Sequence, residues 1–172
     1  MTDSNHEKEA VVTGPATLTG SCHCGAIRAT LYATKPASEL EVRACQCSFC
    51  TRHGAGTVSD PAGRCRFEIE DAALSRYQFE TRTGTSLICN RCGMYAGVIV
   101  DDGDNVWSVL NTRGLAIAEF KDRVAEPKVY DGETPEARIA RRKASWTPTE
   151  IVWRGPRPGQ PRRVAVRDSS ET

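Results

Sequence analysis

Seven of the chain's eight cysteines fall in three tight groups: Cys22-His23-Cys24-Gly25, Cys45-Gln46-Cys47-Ser48-Phe49-Cys50 and Cys89-Asn90-Arg91-Cys92-Gly93. These spacings suit a metal. In an extended chain residues i and i+2 face the same way, so a C-x-C pair can direct two sulfurs at one ion. A C-x-x-C turn folds two sulfurs around one metal, and a glycine just after it can take the positive φ that such a turn often demands. Two such pairs supply the four thiolates of a closed tetrahedral zinc site, and soft thiolates favour zinc over magnesium or calcium. If Cys22, Cys24, Cys89 and Cys92 form one site, Cys45, Cys47 and Cys50 are left as a set of three. Four protein ligands mark a structural zinc; three, with an open position, mark a catalytic one. The residues alone leave closure of the second site by Cys65, His53 or His23 open. Cys65, alone between Arg64 and Arg66, reads first as a small buried hydrophobe. A redox dithiol at Cys89 and Cys92 is not favoured, because no βαβ pattern surrounds it.

The elements that must position these thiols read as short strands. Residues 26–32 alternate Ile27, Ala29 and Leu31 with Arg28, Thr30 and Tyr32, the period-2 pattern of a half-buried strand. Residues 40–44 repeat it and lead into the second cysteine group. Further strands are expected over 65–69, 74–79, 85–89, 94–100 and 106–110. Turn residues at Pro61-Ala62-Gly63, Thr83-Gly84 and Asp101-Asp102-Gly103-Asp104 separate them. One helix is expected late: Thr134 caps it, Pro135 suits its first position, Glu136 complements the dipole, and it stops near Ser145 before Trp146-Thr147-Pro148. The fold class is therefore mainly β with one short C-terminal helix.

Composition narrows the function. At 172 residues the chain is long enough for one compact domain with loose ends, and its net charge of +1 sets up no field that would draw it to nucleic acid or membrane. No apolar stretch approaches the roughly 20 residues of a membrane span, and the polar N-terminus lacks the apolar core of a secretory signal. A cytoplasmic location follows as an expectation, and there cysteines serve as metal ligands more often than as disulfides. The domain plan reads as a flexible leader over 1–16, a zinc domain over 17–131, and a C-terminal helix with a basic, partly disordered tail over 132–172. The late arginines (Arg138, Arg141, Arg142) read as a solvated helix face, since no aromatic platform for nucleic acid interleaves them.

Gly20-Ser21-Cys22-His23-Cys24-Gly25, Cys45-x-Cys47-Ser48-x-Cys50 and Cys89-x-x-Cys92-Gly93, in that order, resemble the glutathione-dependent formaldehyde-activating enzyme family, which includes the centromere protein V domain. The resemblance implies a β-tent fold related to the Mss4-like proteins. It implies two Zn2+ ions per chain, a structural one on Cys22, Cys24, Cys89 and Cys92 and a catalytic one on Cys45, Cys47 and Cys50. The family's founding activity joins glutathione to formaldehyde as S-hydroxymethylglutathione, formally a carbon–sulfur lyase reaction run backwards. The chain departs from the family pattern at Gln46, where histidine is usual, and at Thr51-Arg52, where an arginine pair is common. The carbon skeleton of the substrate is accordingly left open.

A zinc held by three thiolates carries a net charge near −1, a weak Lewis acid poorly suited to making hydroxide but well suited to binding one more thiolate. The expected partner is therefore a small-molecule thiol or thiol adduct, with Arg52, Asn111 and Arg113 as candidates to anchor its carboxylate. Self-pairing into a homodimer is compatible with the sequence. The alternatives are a non-enzymatic zinc-binding module and a glutathione carrier.

Overall fold

The computed structural model describes residues 14–155. Residues 1–13 of the expected leader over 1–16, and the basic tail from 156 onward, lie outside them. The fold is mainly β, as the alternation predicts, and one helix exceeds seven residues. β1 (Thr17–Ser21) and β2 (Ile27–Tyr32) form an antiparallel hairpin. β2 pairs antiparallel with β5 (Arg64–Glu70). Its inward residues Ile27, Ala29 and Leu31 meet Ile69, Phe67 and Cys65, all buried. Full burial of side chains such as Ile27, Leu31, Phe67 and Ile69 is worth about 1.5–3 kcal/mol each, which makes this three-stranded face the stiff base of the molecule.

The second half of the sheet carries the Cys45–Cys50 group and the Cys89–Cys92 turn. β3 (Arg43–Cys45) pairs with β4 (Thr57–Val58) and, in parallel, with β10 (Glu126–Lys128). β6 (Leu74–Tyr77), β7 (Thr85–Cys89), β8 (Tyr95–Asp101) and β9 (Val106–Asn111) form an antiparallel meander. β11 (Thr147–Arg154) joins the halves: Thr147 and Pro148 pair with β9, and from Thr149 onward the strand runs parallel to β5. The strands expected over 26–32, 65–69, 74–79, 85–89, 94–100 and 106–110 appear within a residue or two. Residues 40–44 are shorter in strand, because Ala37–Glu39 make a 3-10 turn ending at Leu40 and pairing begins only at Arg43. β1, β4, β10 and β11 have no alternation long enough to announce them.

Two helices complete the fold. α1 (Ser48–Arg52) is a single turn inside the second cysteine group, with Cys47 at its N-cap. α2 (Pro135–Ser145) has the predicted bounds, and Thr134 Oγ1 accepts from the Ala137 N–H at 3.2 Å. No helix among the described residues is long and apolar enough to cross a membrane.

Candidate metal centres and the cavity beside them

Two hairpin tips build the first centre. After β1 the chain turns at Cys22–Gly25, where the Gly25 N–H bonds the Cys22 carbonyl at 2.9 Å and Gly25 takes φ +76°. After β7 it turns at Cys89–Gly93, closed by the Gly93 N–H on the Cys89 carbonyl at 2.8 Å, with Gly93 at φ +74°. Both glycines occupy the left-handed region that side chains avoid, as the C-G spacings predict. The Sγ atoms of Cys22, Cys24, Cys89 and Cys92 lie within 4.8 Å of one another. Cys22–Cys24 is 3.7 Å and Cys24–Cys89 is 3.5 Å. Sulfurs placed tetrahedrally at 2.3 Å from zinc are separated by roughly 3.8 Å, so the donor set and its spacing fit that ion. Cys22 and Cys89 are buried in the main core, and Cys92 packs against it. Burial pushes the Cys89 thiol up to about 12, whereas at Cys92 desolvation, the largest single influence, is outweighed by the bonds from the Met94 and Cys24 amides and the Cys89 and Cys24 thiols together, and that thiol falls to about 6.

The second centre comes from one continuous segment. Cys45 ends β3, Cys47 caps α1 and Cys50 lies in its first turn, where the Cys50 N–H approaches Cys47 Sγ at 3.5 Å. The three sulfurs lie within 4.8 Å of one another. A hydrogen bond from the Cys50 thiol is the main reason that Cys45 titrates near 6, and the same bond holds the proton on Cys50 well above its usual range. A soft, sulfur-only set of three again suits zinc. These two groups together use every clustered cysteine of the sequence. Cys65 belongs to neither: it is fully buried on β5, and burial pushes its thiol up to about 12. His23 and His53 are both exposed and lie in neither cluster; His53 packs against Phe49 in a tilted pair with ring centroids 4.5 Å apart.

The triplet opens on a cavity, and none of the four cysteines of the first centre lines it. One wall is aromatic. Phe49 packs edge-on against Tyr95 at 5.0 Å and stacks on Tyr77 at 5.4 Å, with Phe79 at the same distance. Tyr95, at the start of β8, is 2% exposed, and its hydroxyl is buried without a hydrogen-bond partner among the described residues. Burial first, and then the neighbouring sulfurs of Cys50, Cys45 and Cys47, hold its proton well above the ordinary tyrosine range. The opposite wall is α2 together with Arg43 of β3. Arg138 Nη1 reaches Glu80 Oε2 at 3.0 Å, and Arg142 Nη1 donates to Thr83 Oγ1 at 2.9 Å. These two contacts tie the 78–84 loop, where Glu80 and Arg82 adopt φ +50° and +52°, to the helix.

The anchoring candidates are placed differently. Arg52 is exposed on α1. Asn111 is buried, and its Nδ2 donates to the Tyr95 carbonyl at 2.9 Å. Arg113 Nη1 donates to the Gly54 carbonyl at 2.7 Å. None of the three lines the cavity. The residues that do, Tyr95 and the arginines of α2, were not among the expected site residues. The arginines repeat at helical spacing and read as a solvated face; only packing against β8 and the 78–84 loop turns that face inward.

Among solved structures, a crystal structure of a Rhodobacter sphaeroides protein determined as a structural-genomics target is 28% identical. The match covers 65% of this chain and 99% of that one, with a TM-score of 0.43. Residues 17–119, which contain all seven clustered cysteines, match the family described as glutathione-dependent formaldehyde-activating enzyme. The chain belongs to that family.

Proposed function

We propose that the chain makes or breaks a carbon–sulfur bond in a thiol adduct of a small aldehyde-like molecule, at a zinc on Cys45, Cys47 and Cys50. The zinc on Cys22, Cys24, Cys89 and Cys92 has a structural role. The observation that carries this reading is the difference in ligand count and placement: four sulfurs at two hairpin tips, none of them lining the cavity, against three that open on it. When bound at the triplet, zinc would supply a soft Lewis acid with affinity for one further thiolate.

The chain's own residues account for the rest. Addition of a thiolate to a carbonyl carbon places negative charge on the carbonyl oxygen, and the reverse cleavage passes through the same charge. The Tyr95 hydroxyl is a buried donor at this cavity without a hydrogen-bond partner among the described residues. Donating to that oxygen would stabilise the charge without reorganisation, on the wall that the Phe49 and Phe79 rings line. Family membership supports glutathione as the thiol to try first.

Cobalt substitution tests the reading. The protein loaded with cobalt at both centres is titrated with glutathione while the visible spectrum is recorded. A thiol-responsive band equivalent to one of two metals supports an open three-sulfur site. A spectrum that glutathione leaves unchanged means a closed second centre and overturns the proposal. Glutathione binding without any turnover of aldehyde adducts would make the protein a carrier rather than an enzyme.

A further inference from the structure

The cavity beside the triplet is more cationic than its own structure requires. Four guanidiniums line it, those of Arg43, Arg138, Arg141 and Arg142. Two are neutralised within the protein. Glu133 takes Arg141 through two bonds of 2.6 and 2.8 Å, and Glu80 takes Arg138 at 3.0 Å. The other two have neutral partners only: Arg43 donates to Ser59 Oγ, and Arg142 to Thr83 Oγ1. Neither forms an ion pair among the described residues, and the Arg142 Nε is a buried donor with no acceptor. Asp131, the remaining carboxylate on the wall, is exposed and pairs with neither of them.

The site is shaped around these groups. A Cβ at Gly84 would lie 2.7 Å from Arg142 Nη1, so the loop opposite α2 leaves room for the guanidinium and little more. The Trp146 ring lies beneath it, with the guanidinium carbon 5.0 Å from the ring centroid. Half-buried arginines cost desolvation that hydroxyl acceptors repay only in part, whereas a carboxylate matches the guanidinium fork in charge and geometry. Residues 135–145 also lie outside the family-matched segment, so Arg142 comes from a part of the chain that the match does not reach, whereas Arg43 lies within it.

We propose that Arg43 and Arg142 form an anion subsite that takes a carboxylate of the ligand whose sulfur end meets Cys45, Cys47 and Cys50, so that the site selects acidic thiols over neutral ones. This rests on the thiol reading of the triplet and adds to it the residues that determine specificity. They are specificity-determining rather than catalytic, since they hold the end of the ligand remote from the reacting sulfur.

The test compares N-acetylcysteine with its neutral amide, which carries the same thiol, by calorimetric titration into the zinc-loaded full chain. The acid is expected to bind at least roughly tenfold more tightly, the scale of one hydrogen bond to a charged group. Arg142→Gln and Arg43→Gln should each reduce that preference to within about threefold while leaving the affinity for the amide unchanged, and Arg142→Lys should keep part of it. Arg43→Gln and Arg142→Lys also report if Arg142→Gln does not fold. Equal binding of acid and amide by the unaltered protein would overturn the subsite and leave the thiol reading standing. So would equal weakening of both ligands, or loss of zinc without loss of preference, because the arginines would then merely balance thiolate charge. Binding of neither ligand would overturn both proposals.

Discussion

The two cysteine clusters use the same donor atom in opposite surroundings. The four-sulfur cluster joins residues far apart in sequence, tying the β1–β2 tip to the β7–β8 tip, and is rooted in the main hydrophobic core through Cys22 and Cys89 while Cys24 is exposed. The three-sulfur cluster is local. It spans six residues and packs in a small satellite group with Ala55 and Tyr95. A long-range set can staple a fold because it removes the freedom of two distant hairpins at once. A local set constrains little, and its sulfurs are free for chemistry. Tyr95 connects them: it lies three residues beyond Cys92, on the strand leaving the four-sulfur tip, and places its hydroxyl against the three-sulfur site.

The comparison is broken most directly by removing one sulfur from each cluster. Zinc at a structural site is worth on the order of 10 kcal/mol, comparable to a whole domain's stability of about 5–15 kcal/mol. Cys89→Ser should therefore abolish the cooperative thermal transition followed by circular dichroism. Cys47→Ala should retain that transition while metal analysis shows one of two zincs lost and thiol-adduct turnover gone. Full activity with one zinc lost, or unfolding by both variants alike, would erase the distinction drawn between the clusters.

A smaller effect is expected where the connection between the clusters is tight. A Cβ at Gly114 would stand 1.9 Å from the Tyr95 carbonyl oxygen and 2.9 Å from Asn111 Nδ2. Gly114→Ala should cost about 3 kcal/mol in urea unfolding, at the upper end for overpacking, and displace Tyr95 from the triplet. Zinc at the four-sulfur centre should survive. Wild-type stability in this variant would mean that the segment yields easily and Tyr95 is loosely held.

Tyr95→Phe removes the hydroxyl and nothing else. An unpartnered buried hydroxyl costs about 1–3 kcal/mol, so the variant should be at least as stable as the parent while losing tenfold or more in turnover. A marked loss of stability would show that the hydroxyl is bonded within the core, and the proposed role would fall.

The mildest change is far from both clusters. Asp60 accepts from Thr34 N at 2.7 Å, Thr34 Oγ1 at 2.8 Å and Ala62 N at 3.1 Å. Desolvation would raise its pKa, but these bonds outweigh it and hold the carboxyl below its ordinary 3.8. A depressed folded pKa contributes stability that is fully present above the unfolded value and fades as pH falls through the folded one. Asp60→Asn should thus lower the urea midpoint at neutral pH, with the gap to the parent closing below about pH 4 and metal content unchanged. A gap of constant size across that range would remove Asp60 from the acid limb.

Much of this was legible in the residues, because the signals were local. Period-2 alternation at Ile27, Ala29 and Leu31 announced β2, the Thr134-Pro135 pair set the start of α2, and glycines after Cys24 and Cys92 marked turns at positive φ. The partition of seven thiols into four and three was one that their spacing allowed and the family resemblance implied. Short strands such as β4 and β10 were not legible, since two or three residues carry no period and exist only through their partners. Nor was the cavity. Arg138, Arg141 and Arg142 look like any solvated helix face, and Tyr95 like any core aromatic. What aims them at Cys45, Cys47 and Cys50 is the packing of α2 against β8 and the 78–84 loop, and of Tyr95 against Phe49 of α1, all between residues distant in sequence. Ligand identity is written in sequence because a cysteine at the right spacing can do little else. Access to the ligand is decided by tertiary structure, because it depends on which surfaces cover which sulfurs.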